Sequence, residues 1–266
     1  MSRPVGSLAL ALTLLLAGCG GVASGPATET PRVTPVEVPT TTPQPDRFVA
    51  PGMTADRLVD PGALQQSHAA TLANTSHTFR EVVTRRAPNG TLLSRYVTLV
   101  TRNGTTIRYR FDGDRRAGDD GPWPVDRYVT GDRVYTARTN GTATTYAVDA
   151  VSETGRRVPL SPSDYAASVT RVFGLLPIQV EETVRSGDRT RYYLETAEPR
   201  DVPPLRNATF TGAVTPEGVI DDYRVSYEAS RDGRPVTVTV TVSIDDLGTT
   251  RVARPVWYDR AVAGAD

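Results

Sequence analysis

The sequence Val-Thr-Val-Thr-Val-Thr-Val-Ser-Ile occupies residues 236–244 and gives the clearest structural signal in the chain. Its β-branched apolar residues alternate strictly with hydroxyl residues, and successive side chains of a β-strand point to opposite faces of a sheet. One face of this strand is therefore expected to be buried, while the other contacts water. A strand with one wet face is typical of an antiparallel sheet.

Working outward from this strand, shorter alternating segments recur and are separated by turn residues. Asn89-Gly90, Asn103-Gly104 and Asn140-Gly141 lie between such segments, and Asn-Gly in that position predicts type I′ hairpins. Most connections are then hairpins, so we expect an antiparallel meander. The other predicted strands are 77–86, 91–101, 105–112, 125–129, 133–139, 143–149, 178–185, 189–196, 207–215 and 219–229.

Two helices accompany the strands. Asp60-Pro61 has the form of a capped helix start, and Leu64, His68 and Leu72 follow at a spacing of four residues, which places them on one face. A second helix is predicted from about residue 161 or 163 to residue 176. The fold class is therefore α+β: a curved antiparallel sheet, an open half-barrel of about 10–11 strands, whose concave face is covered by two helices.

The N-terminus reads as a lipoprotein leader. Residues 1–18 carry one cation and a short apolar core, which is too short to span a bilayer (~20 residues). They end at the run Leu16-Ala17-Gly18-Cys19, which predicts cleavage before Cys19 and diacylglyceryl attachment to its thiol. The alternative is an ordinary signal peptide in which Cys19 is a bystander. We expect a lipid-anchored protein of the cell membrane whose domain faces the outside.

The predicted organisation has three parts. Residues 1–18 are the signal peptide, residues 19–53 form a Thr/Pro-rich linker, and residues 54–262 form the antiparallel domain. The linker composition cannot bury a core and is typical of a semi-extended spacer.

Every asparagine in the chain begins an Asn-x-Ser/Thr triplet. These five positions are predicted N-glycosylation sites of an exported protein; they are Asn74, Asn89, Asn103, Asn140 and Asn207. Three of them belong to the Asn-Gly-Thr turns already described, so a purely structural reading stays open for those three.

Composition argues against several functions. The 30 acidic residues are balanced by 30 arginines, with no lysine, so there is no basic excess for a nucleic-acid partner. The absence of lysine removes Schiff-base and P-loop chemistry. His68 is expected to be a satisfied core residue and His77 to be exposed. The acidic loop 112–121 fails the EF-hand pattern, and Asp221-Asp222 and Asp245-Asp246 are interpreted as turn or edge charges. We expect no cofactor, no metal site and no catalytic residues.

The chain resembles LolA-like lipoproteins. The resemblance is carried by the lipobox at Leu16–Cys19, the Thr/Pro stalk, one helix before a long meander, one helix midway, and a closing alternating strand that leads to Arg254–Tyr258. The lipid-binding lipoproteins of the LppX/LprG type are similar in architecture. Arginine-only usage and the density of Asn-x-Thr triplets are similar to those of uncharacterised haloarchaeal lipoproteins. The resemblance implies a concave face that holds an acyl chain or another apolar ligand.

The favoured function is a non-enzymatic binding module for a lipid or other apolar ligand. The predicted pocket residues are Tyr109, Phe111, Val169, Phe173, Val238 and Val240. For any single one of them, a plain core position is favoured over pocket lining. The alternative is a structural or interaction lipoprotein of the envelope, which has a filled core and an unidentified protein partner. An extracellular hydrolase is a third hypothesis and would need a histidine that meets a serine and an aspartate.

Overall fold

The alternating segment lies inside a long strand at the centre of the sheet. The computed structural model describes residues 47–113, 124–154, 172–203 and 205–264. In chain order the elements are α1 (Pro61–Asn74), β1 (His77–Arg86), β2 (Leu92–Asn103), β3 (Thr106–Gly113), β4 (Val125–Thr130), β5 (Arg133–Asn140), β6 (Ala143–Ala150), α2 (Val151–Thr154), β7 (Ile178–Ser186), β8 (Arg189–Thr196), β9 (Arg200–Val202), β10 (Leu205–Val214), β11 (Ile220–Arg231), β12 (Arg234–Asp245) and α3 (Tyr258–Ala263).

The strands form one open antiparallel sheet. Its order is β6-β5-β4-β3-β2-β1-β12-β11-β10-β8-β7, and β9 pairs with β10 beside this path. The first and last long strands, β1 and β12, pair with each other from Thr78↔Asp245 to Arg86↔Thr237. This pairing joins the N-terminal meander to the C-terminal one. The prediction of an antiparallel meander is confirmed, with 12 strands in place of the expected 10–11.

One face of the sheet carries the main core. We call it the inner face and define it by Phe79 on β1 and by the residues that the register places beside it, Val100 on β2 and Ile244 on β12. These three side chains are 1–5% exposed. The opposite, outer face is defined by Arg108 and Asp126, which pair on β3 and β4. Most of the buried apolar residues of both meanders belong to one hydrophobic cluster, which includes these three, while Tyr128 and Ala137 are buried on the outer face.

The closing strand shows the predicted alternation with one break. Val236, Val238, Val242 and Ile244 are 1–5% exposed. Val240 lies on the same inner face but is only partly buried. Because its neighbours on the strand are packed, the partial exposure of Val240 marks a space above the middle of β12.

Helix α1 begins as the sequence predicts. The Asp60 side chain accepts a hydrogen bond from the Ala63 N–H at 3.0 Å, and Pro61 occupies the first helical position. Leu64, His68 and Leu72 are its buried residues. Of the second predicted helix, Val172 and Phe173 are helical, and the rest of it up to residue 171 lies outside the described residues.

The hairpins are confirmed, but the predicted type I′ turn is wrong at all three Asn-Gly pairs, because none of the three asparagines has a positive φ. At Asn89-Gly90 only the glycine has a positive φ, of +83°. Asn103 pairs with Thr106 and Asn140 pairs with Ala143, so each asparagine ends its strand. The first loop residue is then Gly104 or Gly141, with φ of +56° and +61°. A positive φ at the first loop position is the pattern of a type II′ turn. Asp232-Gly233, where φ is +52° and +73°, has the positive pair that a type I′ turn requires.

The folded region begins before the predicted boundary at residue 54. Ala50 is 5% exposed and Met53 is fully buried. The Leu58 N–H donates to the Ile178 carbonyl at 3.1 Å, and the Val180 N–H donates to the Asp56 carbonyl at 2.8 Å. The segment from Ala50 onward is therefore held against β7. The leader, Cys19 and the linker up to residue 46 lie outside the described residues.

Two expectations about polar residues are corrected. His77 was expected to be exposed but is fully buried on the inner face, where its Nδ1 lies 2.8 Å from the Thr75 carbonyl oxygen. Asp221 was interpreted as a turn or edge charge but is 7% exposed and forms an ion pair with Arg191. Burial raises the pKa of Asp221, and the Arg191 charge opposes that shift.

Candidate functional site

The partial exposure of Val240 is explained by a pocket on the inner face. Its volume is about 450 Å³, which falls within the ~300–1,000 Å³ typical of small-molecule sites. It lies over β1, β12 and β11 and is bordered by residues 172–175, 202–203 and 205. The lining residues are Glu81, Val172, Leu175, Val202, Pro203, Leu205, Tyr223, Val225, Tyr227 and Val240.

The pairing of β11 with β12 builds the floor of the pocket. Val225 is directly opposite Val240, while Tyr223 and Tyr227 lie on the same face on either side of Val225. Directly opposed side chains on one face of an antiparallel pair are about 4.5–5.5 Å apart at Cβ. Two tyrosine rings and two valines therefore form a continuous apolar surface.

Residues from outside these strands form the walls. Phe173 is 3% exposed and meets Phe210 edge-to-face, with ring centroids 4.8 Å apart. This contact places the adjacent Val172 and Leu175 at the pocket. Leu175 is 45% exposed, so it lies at the rim. On the other side, Val202 ends β9 and pairs with Leu205 on β10.

Among the described lining residues, Glu81 is the single charged side chain. It lies on β1, opposite Val242 of β12 and Thr98 of β2, which places it on the inner face. Burial raises the pKa of the Glu81 carboxyl. A carboxylate in an apolar wall costs free energy unless it is paired. An acid in this position is therefore the polar feature most able to discriminate between ligands.

A polar group of residues continues from Glu81 across the inner face. The Tyr109 hydroxyl on β3 is hydrogen-bonded with Thr98, and the Arg127 guanidinium lies 5.9 Å from the Tyr109 ring centroid. The pKa of Tyr109 is raised, first by burial and then by the Glu81 charge, while Arg127 acts against both. The pocket therefore has an apolar side toward β11 and a polar side toward β3.

The structure places the six predicted pocket residues differently. Val240 lines the pocket, and Phe173 is buried immediately beside the lining residue Val172. Val238 is 4% exposed and belongs to the packed core. Val169 lies outside the described residues.

Tyr109 and Phe111 lie on the inner face but not at this pocket. Strands β2 and β1 separate β3 from β12, which is a distance of roughly 14 Å at ~4.8 Å per strand. Phe111 stacks on Tyr96, with ring centroids 5.9 Å apart. Phe111 therefore belongs to a separate aromatic pair, while Tyr109 packs against the main hydrophobic cluster.

A second aromatic group covers the outer face of β3 to β6. Tyr146 stacks near Trp257 at 6.3 Å between centroids, and Tyr258 lies 5.7 Å from Tyr128 and 4.4 Å from Tyr135. A smaller pocket of about 330 Å³ lies beside this group and includes Trp257 and Tyr146. The segment Arg254–Tyr258, which carries part of the family resemblance, thus packs on the face opposite to the main pocket.

Other predicted features are distributed over the fold. Asn74, Asn89, Asn103, Asn140 and Asn207 are all exposed. His68 is 2% exposed, and its Nδ1 accepts a hydrogen bond from the Ile220 N–H at 3.1 Å. Within residues 47–113, 124–154, 172–203 and 205–264, no group of three His, Cys, Asp or Glu is placed to hold a metal ion. None of the helices in these ranges is long and apolar enough to cross a membrane.

Sequence reasoning missed most of the lining. Tyr223, Val225 and Tyr227 alternate along β11, so their shared face was visible as a pattern. Glu81 also shares its face with Phe79 and Val83 on β1. The segment 202–205 had no such signal, because Pro203 interrupts any periodicity there.

Comparison with known proteins gives weak structural likenesses. An outer membrane lipoprotein-sorting protein domain from Vibrio parahaemolyticus aligns at 7% identity and a TM-score of 0.24, with 75% of this chain and 96% of that chain covered. MucB in its complex with MucA from Pseudomonas aeruginosa aligns at 11% identity and a TM-score of 0.24, with 77% and 97% covered. No family model and no curated protein matches the sequence. Likenesses at this level give no basis for transferring a function.

Proposed function

We propose that the protein is a non-enzymatic binding module for a lipid or another apolar ligand, and that the pocket over β11 and β12 is its site. The observation that carries the proposal is the partly exposed Val240 in an otherwise packed strand, under a cavity of about 450 Å³. Nine of the ten lining residues are apolar or aromatic. In water such a surface favours an apolar occupant, at ~25 cal/mol per Å² of apolar area removed from solvent.

The proposed architecture includes helices over the inner face. Helix α1 contributes Leu64 and Leu72 to the inner cluster, and the helical residues Val172 and Phe173 lie at the pocket wall. A LolA-like half-barrel with its concave face covered by two helices is consistent with these contacts. In that arrangement the ligand would enter past the exposed rim residue Leu175.

A filling substitution tests the pocket. Val240→Trp should occupy the cavity and reduce the affinity for Nile red, a neutral dye that fluoresces in apolar surroundings, by about tenfold or more. Fluorescence titration of the full chain, carrying Cys19→Ser to prevent lipidation, measures this change. Native mass spectrometry of the same protein should reveal a co-purifying apolar molecule.

Thr241→Trp is the matched control. Thr241 is the next residue on β12, is exposed and lies on the outer face. The same indole at that position should leave dye binding within about twofold of the starting protein. Equal dye binding by the starting protein and Val240→Trp would contradict a binding function for the pocket. The alternative role, an interaction lipoprotein with a protein partner, would then be preferred.

We further propose that the protein is held to the outside of the cell membrane by a diacylglyceryl group on Cys19. The support is the run Leu16–Cys19 behind a short apolar segment, with no other cysteine in the chain. Two acyl chains suffice for stable anchoring. Cys19→Ser should move the protein from the membrane fraction to the soluble fraction, and retention in the membrane would exclude this anchor. The five exposed Asn-x-Ser/Thr sites agree with an outward-facing domain, and intact-mass measurement of the exported protein would reveal glycans.

A further inference from the structure

We propose that Glu81 selects the ligand of this pocket, and that the preferred class is an amphiphile with a positively charged amine head group on an aliphatic chain. This inference rests on the proposed function, because it assigns a head-group specificity to the same pocket. The proposal gives Glu81 the role of selecting the head group, and fatty acids are then not the preferred class of ligand.

The first argument is the position of Glu81. It enters the lining from β1, between Val242 of β12 and Thr98 of β2. Every other described lining residue is uncharged. Among the described residues, a ligand whose chain contacts the valines and tyrosines of β11 and β12 therefore meets one charge, and that charge is negative.

The second argument is the lack of an internal counter-charge. Among the residues that the structure describes, no arginine lies within ion-pair distance of Glu81. The nearby inner-face arginines are directed at tyrosines. The Arg85 guanidinium lies 5.2 Å from the Tyr96 ring centroid, and that of Arg127 lies 5.9 Å from the Tyr109 ring centroid. The described residues thus supply no counter-charge for Glu81, and we assign that role to the ligand.

Three head groups differ in how they interact with the Glu81 carboxylate. An ammonium forms a charge-assisted hydrogen bond with the carboxylate and neutralises it. An alcohol forms a hydrogen bond but leaves the charge in place. A fatty-acid carboxylate brings a second negative charge into the same apolar site, where one of the two groups must take up a proton. The raised pKa of Glu81 shows that the site already disfavours one uncompensated negative charge. The expected order of affinity is therefore amine, alcohol, carboxylate.

Three probes with one chain length test this order. Dodecylamine, dodecanol and dodecanoate compete with Nile red at pH 8 on the full chain carrying Cys19→Ser. Dodecylamine should bind about tenfold or more tightly than dodecanoate, which is the size of effect that a hydrogen bond to a charged group produces. In Glu81→Gln the preference should disappear, while dodecanol affinity stays within about twofold.

Two further variants complete the experiment. Glu228→Gln removes the same charge from an exposed position on the outer face of β11 and should preserve the amine preference. Glu81→Asp keeps the charge in the pocket and should preserve the order of the three probes. Equal affinities for the amine and the carboxylate, or an unchanged preference in Glu81→Gln, would overturn the inference. Normal dodecanol binding in that case leaves the proposed function intact, whereas failure of all three probes to bind rejects both.

Discussion

Asp126 on the outer face and Glu81 on the inner face are both partly buried acids near aromatic residues. The two carboxylates differ in the hydrogen-bond donors around them. On the outer face, Asp126 accepts hydrogen bonds from Arg108 Nε at 3.0 Å, Arg108 Nη2 at 2.7 Å and Trp257 Nε1 at 2.8 Å. On the inner face, Glu81 has no such donor among the described residues and borders a cavity. Asp126 therefore has hydrogen-bond donors within the fold, whereas the described residues supply none to Glu81.

The comparison also explains why the C-terminal segment lies where it does. The Trp257 indole N–H needs an acceptor when it is buried, and Asp126 provides one. The rings of Tyr128, Tyr135 and Tyr146 then pack against Trp257 and Tyr258. The larger pocket lies on the inner face, whereas the outer face carries this aromatic group with a smaller pocket beside it.

The largest expected effect comes from removing the partnered acid. Asp126→Ala leaves the Arg108 guanidinium and the Trp257 indole without their acceptor, and breaking such a partly buried pair should cost about 3 kcal/mol of unfolding free energy. Urea denaturation followed by tryptophan fluorescence measures the loss. Asp259→Ala is the matched control, because the Arg254–Asp259 pair is 59% and 77% exposed. Its cost should be less than about 1 kcal/mol. Similar losses in both variants would show that the Asp126 network carries no special weight.

His68 is a third buried ionisable residue. Its Nδ1 accepts a hydrogen bond from the Ile220 N–H, which requires the neutral form of the ring. Burial, with a smaller contribution from the charge of His77, lowers the pKa of His68 from 6.5 to about 4. The unfolded chain therefore takes up this proton first as the pH falls. Stability is full above pH 6.5 and is lost as the pH falls toward 4, by about 2 kcal/mol between pH 7 and pH 5.

His68→Asn isolates this effect. The asparagine amide oxygen can still accept the Ile220 N–H but does not titrate. Between pH 7 and pH 5 the variant should lose less stability than the starting protein, by roughly the same 2 kcal/mol. The pKa of His77 is also lowered, so part of the acid sensitivity should remain. The raised pKa values of Glu81 and Asp221 act with the opposite sign, because the folded state binds those protons more tightly. Parallel pH profiles for the two proteins would contradict a titrating His68.

The strands could be predicted from sequence because their alternation is a local property. The Val/Thr alternation of 236–244 predicted β12, and the N-cap and stripe of α1 predicted that helix. Three elements were missed because they carry no such signal; one of them, helix α2, has only four residues. Strand β9 has three residues, and α3 begins after Trp257, which makes no side-chain cap hydrogen bond.

The site was harder to predict because it depends on contacts between distant segments. On β1 the inner-face residues Phe79, Glu81, Val83 and Arg85 mix apolar with charged side chains, so the pattern gave no buried face. Whether the space above Val240 is filled depends on the positions of residues 172–175, 202–203 and 205. The periodicity of the sequence does not indicate where these residues lie relative to β12.

The smallest expected change in stability is also the sharpest test of the comparison. Glu81→Gln removes a buried charge that no described donor compensates, so at pH 8 the unfolding free energy should stay constant or rise by up to about 1 kcal/mol. Asp126→Asn, the same chemical change on the outer face, should lower it, because both donors then meet a weaker acceptor. Urea denaturation of the two variants measures the two signs side by side. If Glu81→Gln were as destabilising as Asp126→Asn, Glu81 would have a structural partner, and its carboxylate would not be available to bind the proposed ligand. Opposite signs would mean that the Glu81 charge lowers the unfolding free energy. Such a loss of stability is expected of a residue whose role is binding.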